Sequence, residues 1–174
     1  MRTRSAEDLE PQLEALHGAS FAWAARCCGG NREEAEDVLQ TTYLKVWEGR
    51  ARYRGHSSLK TWLFGVIRRT AADRRRRRAL RERLLGLFGR AQLQPESPAP
   101  PDVLVAGGEA RQRLSVALER LSPRQAQIVD LVFAHELSVA DAAGVMGISV
   151  GSARTHYHRA KRQLAELLGE AALT

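Results

Sequence analysis

Cysteine is nearly missing from this chain: its 174 residues carry two, Cys27 and Cys28, and these are adjacent. Neighbouring thiols cannot staple distant segments or supply a four-ligand metal set, which excludes a disulfide framework and a structural zinc site. The pair is expected as buried thiols on a helix. No apolar run approaches the ~20 residues that a membrane-spanning helix needs. The first residues, Met1-Arg2-Thr3-Arg4-Ser5-Ala6-Glu7-Asp8, turn acidic where a secretory signal would turn apolar. Together these absences predict a cytoplasmic protein with no membrane insertion. An alternating strand pattern of useful length is missing too. No nucleophile, acid–base pair or metal cluster stands out, so the chain is expected to be non-catalytic and to need no cofactor.

Aromatic residues make up only 6% of the chain, against 44% hydrophobic residues in all. The length allows one medium domain or two small ones. At ~70 residues per domain only about 60% of the chain's surface can be buried. Each half is therefore expected to rely on helices packed along single apolar stripes.

Acidic residues are scarce in one stretch. Residues 50–90 hold 14 basic and 2 acidic side chains, whereas residues 1–49 hold 5 and 9, and residues 91–174 hold 8 and 9. The whole excess of +7 thus sits in the middle, which includes the run Arg74-Arg75-Arg76-Arg77-Arg78. Such density is the footprint expected of a polyanion partner, because each neutralised phosphate releases condensed counterions. A solvated basic tract is the alternative for the arginines taken alone. Their company favours the partner: Arg50, Arg52, Arg54, Lys60, Arg68 and Arg69 are interleaved with Tyr53, Trp62 and Phe64. Cations combined with aromatic faces are how single-stranded nucleic acid is typically held. Trp62, Leu63, Val66 and Ile67 fall on one buried helical stripe. Tyr53, in the turn-like stretch 52–58, is expected as the exposed ring.

Proline marks a boundary. Four of the six prolines (Pro95, Pro98, Pro100, Pro101) cluster ahead of Gly107-Gly108, a segment that reads as an extended linker of about 20 residues, 89–109. It separates a module over 5–88 from one over 110–170. In the first, Leu9–Leu16 and Ala19–Cys28 read as helices, broken by Gly29-Gly30. Asn31 and Glu34 form a capping pair for a longer helix, whose apolar set is Ala35, Val38, Leu39, Thr42, Tyr43, Val46 and Trp47. Its other face presents Glu33, Glu36, Asp37, Gln40, Thr41 and Lys45. A helix of around 25 residues starts near Ser57 or Ser58 and carries the arginine run. The module is predicted to be a bundle of about four helices.

The second module has clear punctuation. Ser122-Pro123-Arg124-Gln125 joins an N-cap serine, Pro at N1 and Gln at N3, opening a helix with Ile128, Val129, Leu131 and Val132 inward. Ser138 and Asp141 cap a short helix, Val139–Met146. Gly147-Ile148 make a tight turn, and Ser149 caps a last helix from Val150 to about Leu168. Two helices joined by a Gly-containing turn, with small Ala143 four residues before Gly147, match the helix-turn-helix pattern. In the second helix Ala153, Tyr157, Ala160, Leu164 and Leu167 trace an inward stripe. Ser152, Arg154, Thr155, His156, His158, Arg159, Lys161 and Arg162 face outward. Arg can bond bidentately to guanine, and Thr can bond a base edge or touch a thymine methyl. A plain antiparallel helix pair with a solvated basic face would share this pattern.

The two modules together resemble one family. Asn31-Arg32-Glu33-Glu34-Ala35-Glu36-Asp37-Val38-Leu39-Gln40 through Trp47, followed by Tyr53-Arg54-Gly55-His56-Ser57-Ser58-Leu59-Lys60-Thr61-Trp62-Leu63-Phe64, is similar to region 2 of the extracytoplasmic-function (ECF) sigma factors of bacterial RNA polymerase. Leu121 through Gln125, with Ser149 through Lys161, resembles their region 4. The resemblance implies an all-α chain of two small helical domains joined by a flexible Pro-rich linker, the C-terminal one a helix-turn-helix. It also implies promoter-specific transcription initiation together with core RNA polymerase.

Carried onto matching positions, the resemblance implies that Glu36, Asp37, Gln40 and Thr41 dock on the clamp coiled coil of the polymerase's largest subunit. Tyr53, Arg54, His56, Ser57, Ser58, Lys60, Thr61 and Trp62 would capture a flipped base of the melted minus-10 element, with Arg68 and Arg69 beside the strand. Ser152, Arg154, Thr155, His156, His158 and Arg159 would read the minus-35 duplex. An anti-sigma factor is a further implied partner. Arg69 stands where the family commonly has Asn, which strengthens phosphate attraction there, and Thr41 replaces a common acidic residue. Two other classes fit part of the pattern: a two-domain regulator acting through duplex DNA alone, and a general single-strand binder driven by the arginine run. Neither requires the Asp37/Gln40 helix together with the Trp62 loop.

Overall fold

The structure, a computed structural model, describes residues 6–85 and 108–170. The chain divides into two compact units, Met1–Glu96 and Ser97–Thr174. All regular structure among the described residues is helical, as the sequence predicts: α1 (Ala6–Ala15), α2 (His17–Cys27), α3 (Arg32–Trp47), α4 (Leu59–Leu84), α5 (Gly108–Glu119), α6 (Pro123–Phe133), α7 (Val139–Met146) and α8 (Val150–Glu170). The Pro-rich segment expected as a linker lies outside the described residues, except Gly108 and Glu109, which open α5.

In the first unit α3 and α4 start where a side chain accepts an orphan backbone N–H, whereas α2 follows Leu16 without a side-chain cap. Asn31 is extended and accepts from the Glu34 N–H, while Glu33 and Glu34 put negative charge on the positive end of α3. Ser58 does the same for α4 by accepting from the Thr61 N–H. Between α2 and α3 the chain turns through Gly29 and Gly30, whose φ values of 65° and 85° suit glycine. The first two helices run Ala6–Ala15 and His17–Cys27, so the first begins ahead of the expected Leu9 and tolerates Pro11 inside it.

The core sits where α2, α3 and α4 meet. Trp23 and Ala24 of α2, Ala35, Val38 and Leu39 of α3, and Leu63, Phe64 and Ile67 of α4 are buried, with Leu9 and Leu13 of α1 added at one side. Trp23 stacks on Phe64 at 5.8 Å, and its indole N–H donates to the Phe64 carbonyl at 3.1 Å. The polar tip of the largest core residue is thus paired inside the core. Buried Thr42 satisfies its hydroxyl by donating to Val38 O at 2.8 Å. Two expectations for α3 fail here. Trp47, read as core, is half-exposed, and Lys45, read as solvated, donates to Thr70 Oγ1 on α4 at 2.9 Å.

In the second unit α5 is a helix that the sequence reading does not anticipate. α6 has the full capping box: Ser122 Oγ accepts from Gln125 N–H, and Gln125 Oε1 accepts from Ser122 N–H at 2.8 Å. At the end of α7, Gly147 takes the left-handed conformation (φ 65°), and Ile148 N–H reaches back to Ala143 O at 3.1 Å. That bond closes the last turn in a Schellman arrangement. Ser149 Oγ then accepts from Ser152 N–H, starting α8. Ile128, Leu131, Ala142, Ala143, Val145, Met146, Ala153 and Ala160 form the core of the unit. Ala143, Ala153 and Ala160 carry no side chain beyond Cβ, so α7 and α8 can cross closely.

Candidate nucleic-acid and partner interfaces

The loop from Glu48 to Ser58 is shaped by its own hydrogen bonds before any ligand is considered. Ala51 N–H donates to Lys45 O at 2.8 Å, folding the chain back over the end of α3. Tyr53 then leans on Trp62 with ring centroids 5.4 Å apart, and its hydroxyl donates to Ser57 O at 2.6 Å. This corrects both aromatic expectations. Tyr53 is half-buried instead of free, and Trp62 is half-buried on Tyr53 instead of sealed in the helix core. The two rings make one aromatic corner at the start of α4.

The remaining loop residues sort into two jobs. Ser58 Oγ accepts the Thr61 N–H and is hydrogen-bonded to the Thr61 hydroxyl at 2.8 Å, and Thr61 is only 5% exposed. These two hold the helix start. Ser57 is half-buried and gives its carbonyl to Tyr53. Arg54 and His56 point into solvent. Lys60 extends over the Phe64 ring at 5.9 Å, Arg68 is half-buried, and Arg69 is exposed but folded back along α4. The Arg69 guanidinium lies over Gly65, where a Cβ would stand 3.4 Å from its nitrogen, at ordinary van der Waals contact.

On α3, Glu36 is exposed and pairs with Arg32 at 3.0 Å, Gln40 is exposed, and Thr41 is half-buried. Asp37, expected on the outer face, is ion-paired with Arg74 of α4. Next to these lie two large apolar side chains that sequence reasoning misses: Leu44 is 51% exposed and Trp47 49% exposed. Their spacing from Gln40, i+4 and i+7, puts them on the face of Glu36 and Gln40 and was a readable signal. A groove of about 490 Å³ runs beside this face between α2 and α3, with Phe21, Leu39 and Tyr43 in its lining. The Tyr43 hydroxyl sits 3.3 Å from His17 Nδ1, and burial raises its phenol pKa.

In the second unit α8 presents Ser152, Arg154, Thr155, His158 and Arg159 to solvent. Thr155 Oγ1 donates to Gly151 O at 3.0 Å, and the residue stays exposed. His156, expected on the outer face, is half-buried. The inward stripe holds: Ala153 and Ala160 are buried, with Tyr157, Leu164 and Leu167 half-buried. Among the described residues no group of acidic, His or Cys side chains could hold a metal ion, and no helix is long and apolar enough to cross a membrane.

Comparison with known proteins covers both units. Residues 13–81 match the model for sigma-70 region 2, and residues 111–164 match that for sigma-70 region 4. The ECF RNA polymerase sigma factor SigX of Bacillus subtilis is 30% identical over 145 residues, covering 80% of this chain and 75% of SigX. The RNA polymerase sigma factor CarQ of Myxococcus xanthus is 34% identical over 139 residues, 78% of this chain and 75% of CarQ. Among solved structures, the sigma factor RpoE of Bartonella quintana, in complex with the anti-sigma factor NepR, aligns with a TM-score of 0.70 at 26% identity, covering 94% of this chain and 98% of RpoE. CnrH, solved in complex with the cytosolic domain of CnrY, aligns at 0.57 and 25% identity, covering 92% of this chain and 87% of CnrH.

Proposed function

This chain belongs to the ECF sigma factors of the sigma-70 family, and from that premise we propose how its surfaces divide the work of initiation. It is an RNA polymerase sigma factor that directs promoter-specific transcription. It acts as a non-catalytic subunit, in the cytoplasm where the chromosome lies. Its units correspond to region 2 over 5–88 and region 4 over 110–170, with 89–109 as the link.

In the first unit the aromatic corner of Tyr53 and Trp62 forms the wall of a pocket for an extruded minus-10 base. Arg54, His56 and Lys60 are placed to hold its sugar and phosphates. Ser57, Ser58 and Thr61 act by keeping the loop and the start of α4 in shape, and Arg68 and Arg69 attract the strand alongside. Unstacking and unpairing cost a few kcal/mol per base, and a pocket that accepts a base only when it is flipped offsets part of that cost. Such a pocket favours open DNA without any covalent chemistry.

Glu36, Asp37, Gln40 and Thr41 meet the clamp coiled coil of the largest polymerase subunit. In the second unit Arg154, Thr155, His158 and Arg159, with Ser152, read the minus-35 duplex, and half-buried His156 supports that surface from its edge. An anti-sigma factor is proposed as the partner that holds the chain inactive. The resemblance to RpoE, which was solved bound to one, supports this.

The observation that carries the reading is the coincidence of both sigma-region matches, in order, with the two compact units. The test is in vitro transcription with purified core polymerase on a fragmented genomic library, with and without this chain. New, reproducible start sites sharing minus-35 and minus-10 elements are expected, and an unchanged start-site map would refute the assignment.

A further inference from the structure

Three guanidinium groups line one depression: Arg159, already placed on the surface that faces the minus-35 duplex, and Arg120 and Arg162, which lie outside that set. A groove of about 440 Å³ is lined by Arg120, from the turn between α5 and α6, and by Arg159 and Arg162 of α8, with Glu166 at its edge. All three arginines are exposed. Glu166, 3.8 Å from Arg162, is one carboxylate in the lining against three guanidinium groups, so positive charge prevails in the groove.

The floor is built rather than incidental. Gln163 Nε2 donates to the Arg120 carbonyl at 2.9 Å, and Gln125 Nε2 approaches Gln163 Oε1 at 3.4 Å. Gln125 is in turn fixed by its role in the α6 capping box. A glutamine relay therefore ties the middle of α8 to the α5–α6 turn and fixes where Arg120 emerges. Residues 159 and 162 lie two to three turns into α8, beyond Arg154 and Thr155, where a recognition helix passes from base edges to the flanking backbone.

We propose that Arg120, Arg159 and Arg162 form a phosphate-binding groove on the flank of the recognition helix. Its ligand is one phosphate group, which the DNA backbone bordering the minus-35 element supplies. Guanidinium forks match phosphate oxygens in geometry as well as charge, and the rest of the lining is Gln125, Gln163, Glu166 and Leu167. Arg120 thereby becomes a DNA-positioning residue although it lies outside the helix-turn-helix. The inference rests on the minus-35 reading of α8.

The test compares the full chain with its Arg120→Ala and Arg120→Glu variants by fluorescence anisotropy. Each is titrated at several salt concentrations with a minus-35 duplex and with a scrambled duplex. Gln163 bonds the backbone carbonyl of Arg120, which either substitution leaves in place, and thermal unfolding checks that the fold is kept. Arg120→Ala is expected to weaken both duplexes equally, by several-fold, and to flatten the log K against log salt slope by about 0.9, the value for one lost phosphate contact. Arg120→Glu is expected to lose more. A minus-35 duplex with one phosphate replaced by methylphosphonate should bind the native chain as weakly as the intact duplex binds Arg120→Ala. An unchanged slope on both duplexes, or a loss confined to one sequence, overturns the groove as a backbone site. Free pyrophosphate is the second probe. If it stabilises the native chain but not Arg120→Ala while the duplex slopes agree, the phosphate group is a soluble one and the DNA assignment falls. If Arg120→Ala weakens only the binding of polyglutamate, the groove is a protein-binding surface and the proposal is wrong. Failure of the sigma-factor reading would show separately, as no new start sites from the native chain with core polymerase.

Discussion

The Tyr53 hydroxyl donates to Ser57 O at 2.6 Å while its ring leans on Trp62. Tyr53→Phe therefore keeps the ring contact and removes one hydrogen bond, at about 0.5–1.5 kcal/mol. Because that bond shapes the loop, promoter opening followed by permanganate reactivity is expected to fall more than promoter binding does. Tyr53→Ala, which removes the wall itself, should lose opening almost entirely. On α8, Arg154→Ala is expected to relax discrimination at the minus-35 element by about 1–3 kcal/mol, measured as the affinity ratio between matched and mismatched duplexes. An equal loss on all sequences would contradict base reading by Arg154. Cys28 gives a pH prediction. Burial, chiefly, and then the nearby Glu34 carboxylate raise its thiol pKa from 9.0 to about 11. A thiol whose folded pKa lies above its unfolded value contributes stability that is present below pH 9 and lost as the pH rises toward 11. Cys28→Ala should flatten the pH dependence of unfolding in that window, and alkylation of native Cys28 should stay slow near neutrality.

At the level of the element, helix starts are legible in the sequence because a cap is a local event. Asn31/Glu34, Ser58, Ser122/Gln125 and Ser138/Asp141 all begin helices as their spacing predicts. Ser138→Ala is expected to cost about 1 kcal/mol. Gly147→Ala should cost about 1–2 kcal/mol from backbone alone, since φ is 65° and a Cβ there would meet nothing within 4 Å. Chemical denaturation measures both, and Gly147→Asn should recover part of the loss because Asn tolerates the left-handed region. What depends on distant partners is not legible. Tyr53 reads as exposed until its contact with Trp62, nine residues on, is known. Lys45 reads as solvated until Thr70 is seen beside it, and Trp47 reads as core because periodicity cannot tell the edge of an apolar stripe from its centre. α5 escapes because it opens at Gly107-Gly108, which punctuates like a loop, and carries Leu114 and Val116 outward, so its apolar pattern does not outline a buried face. The minus-10, minus-35 and clamp assignments come from resemblance. The structure adds to them which side chains face solvent and which hold the local shape.

Across the whole molecule, charge is segregated by sequence: +12 over residues 50–90 against −4 and −1 on either side. Binding of single strands should therefore weaken steeply with salt through the first unit, and neutralising Arg75 or Arg76 should lower affinity for all promoters alike. Within the run Arg76 and Arg78 pair inside α4, whereas Arg74 pairs with Asp37 of α3. Its loss should therefore also disturb the α3 surface proposed for the clamp.

The buried residues of α4 stop at Ala71, yet the helix continues to Leu84. Its first half is nucleated by tertiary packing, so the second half needs only propagation, which adds one hydrogen bond per residue fixed. Arginines three and four apart, such as 74 with 77 and 78, oppose that propagation by about 0.2–0.5 kcal/mol per pair. The bridges Arg76–Asp73 and Arg78–Glu82 offset only part of it. The helix content of this arm is therefore expected to rise with counterion concentration. Its ellipticity at 222 nm should grow as the Debye length is cut from about 30 Å to 8 Å, and grow further when a DNA strand supplies the compensating charge. Ionic strength then acts on this protein twice, weakening its hold on DNA while stiffening the rod that carries the arginines.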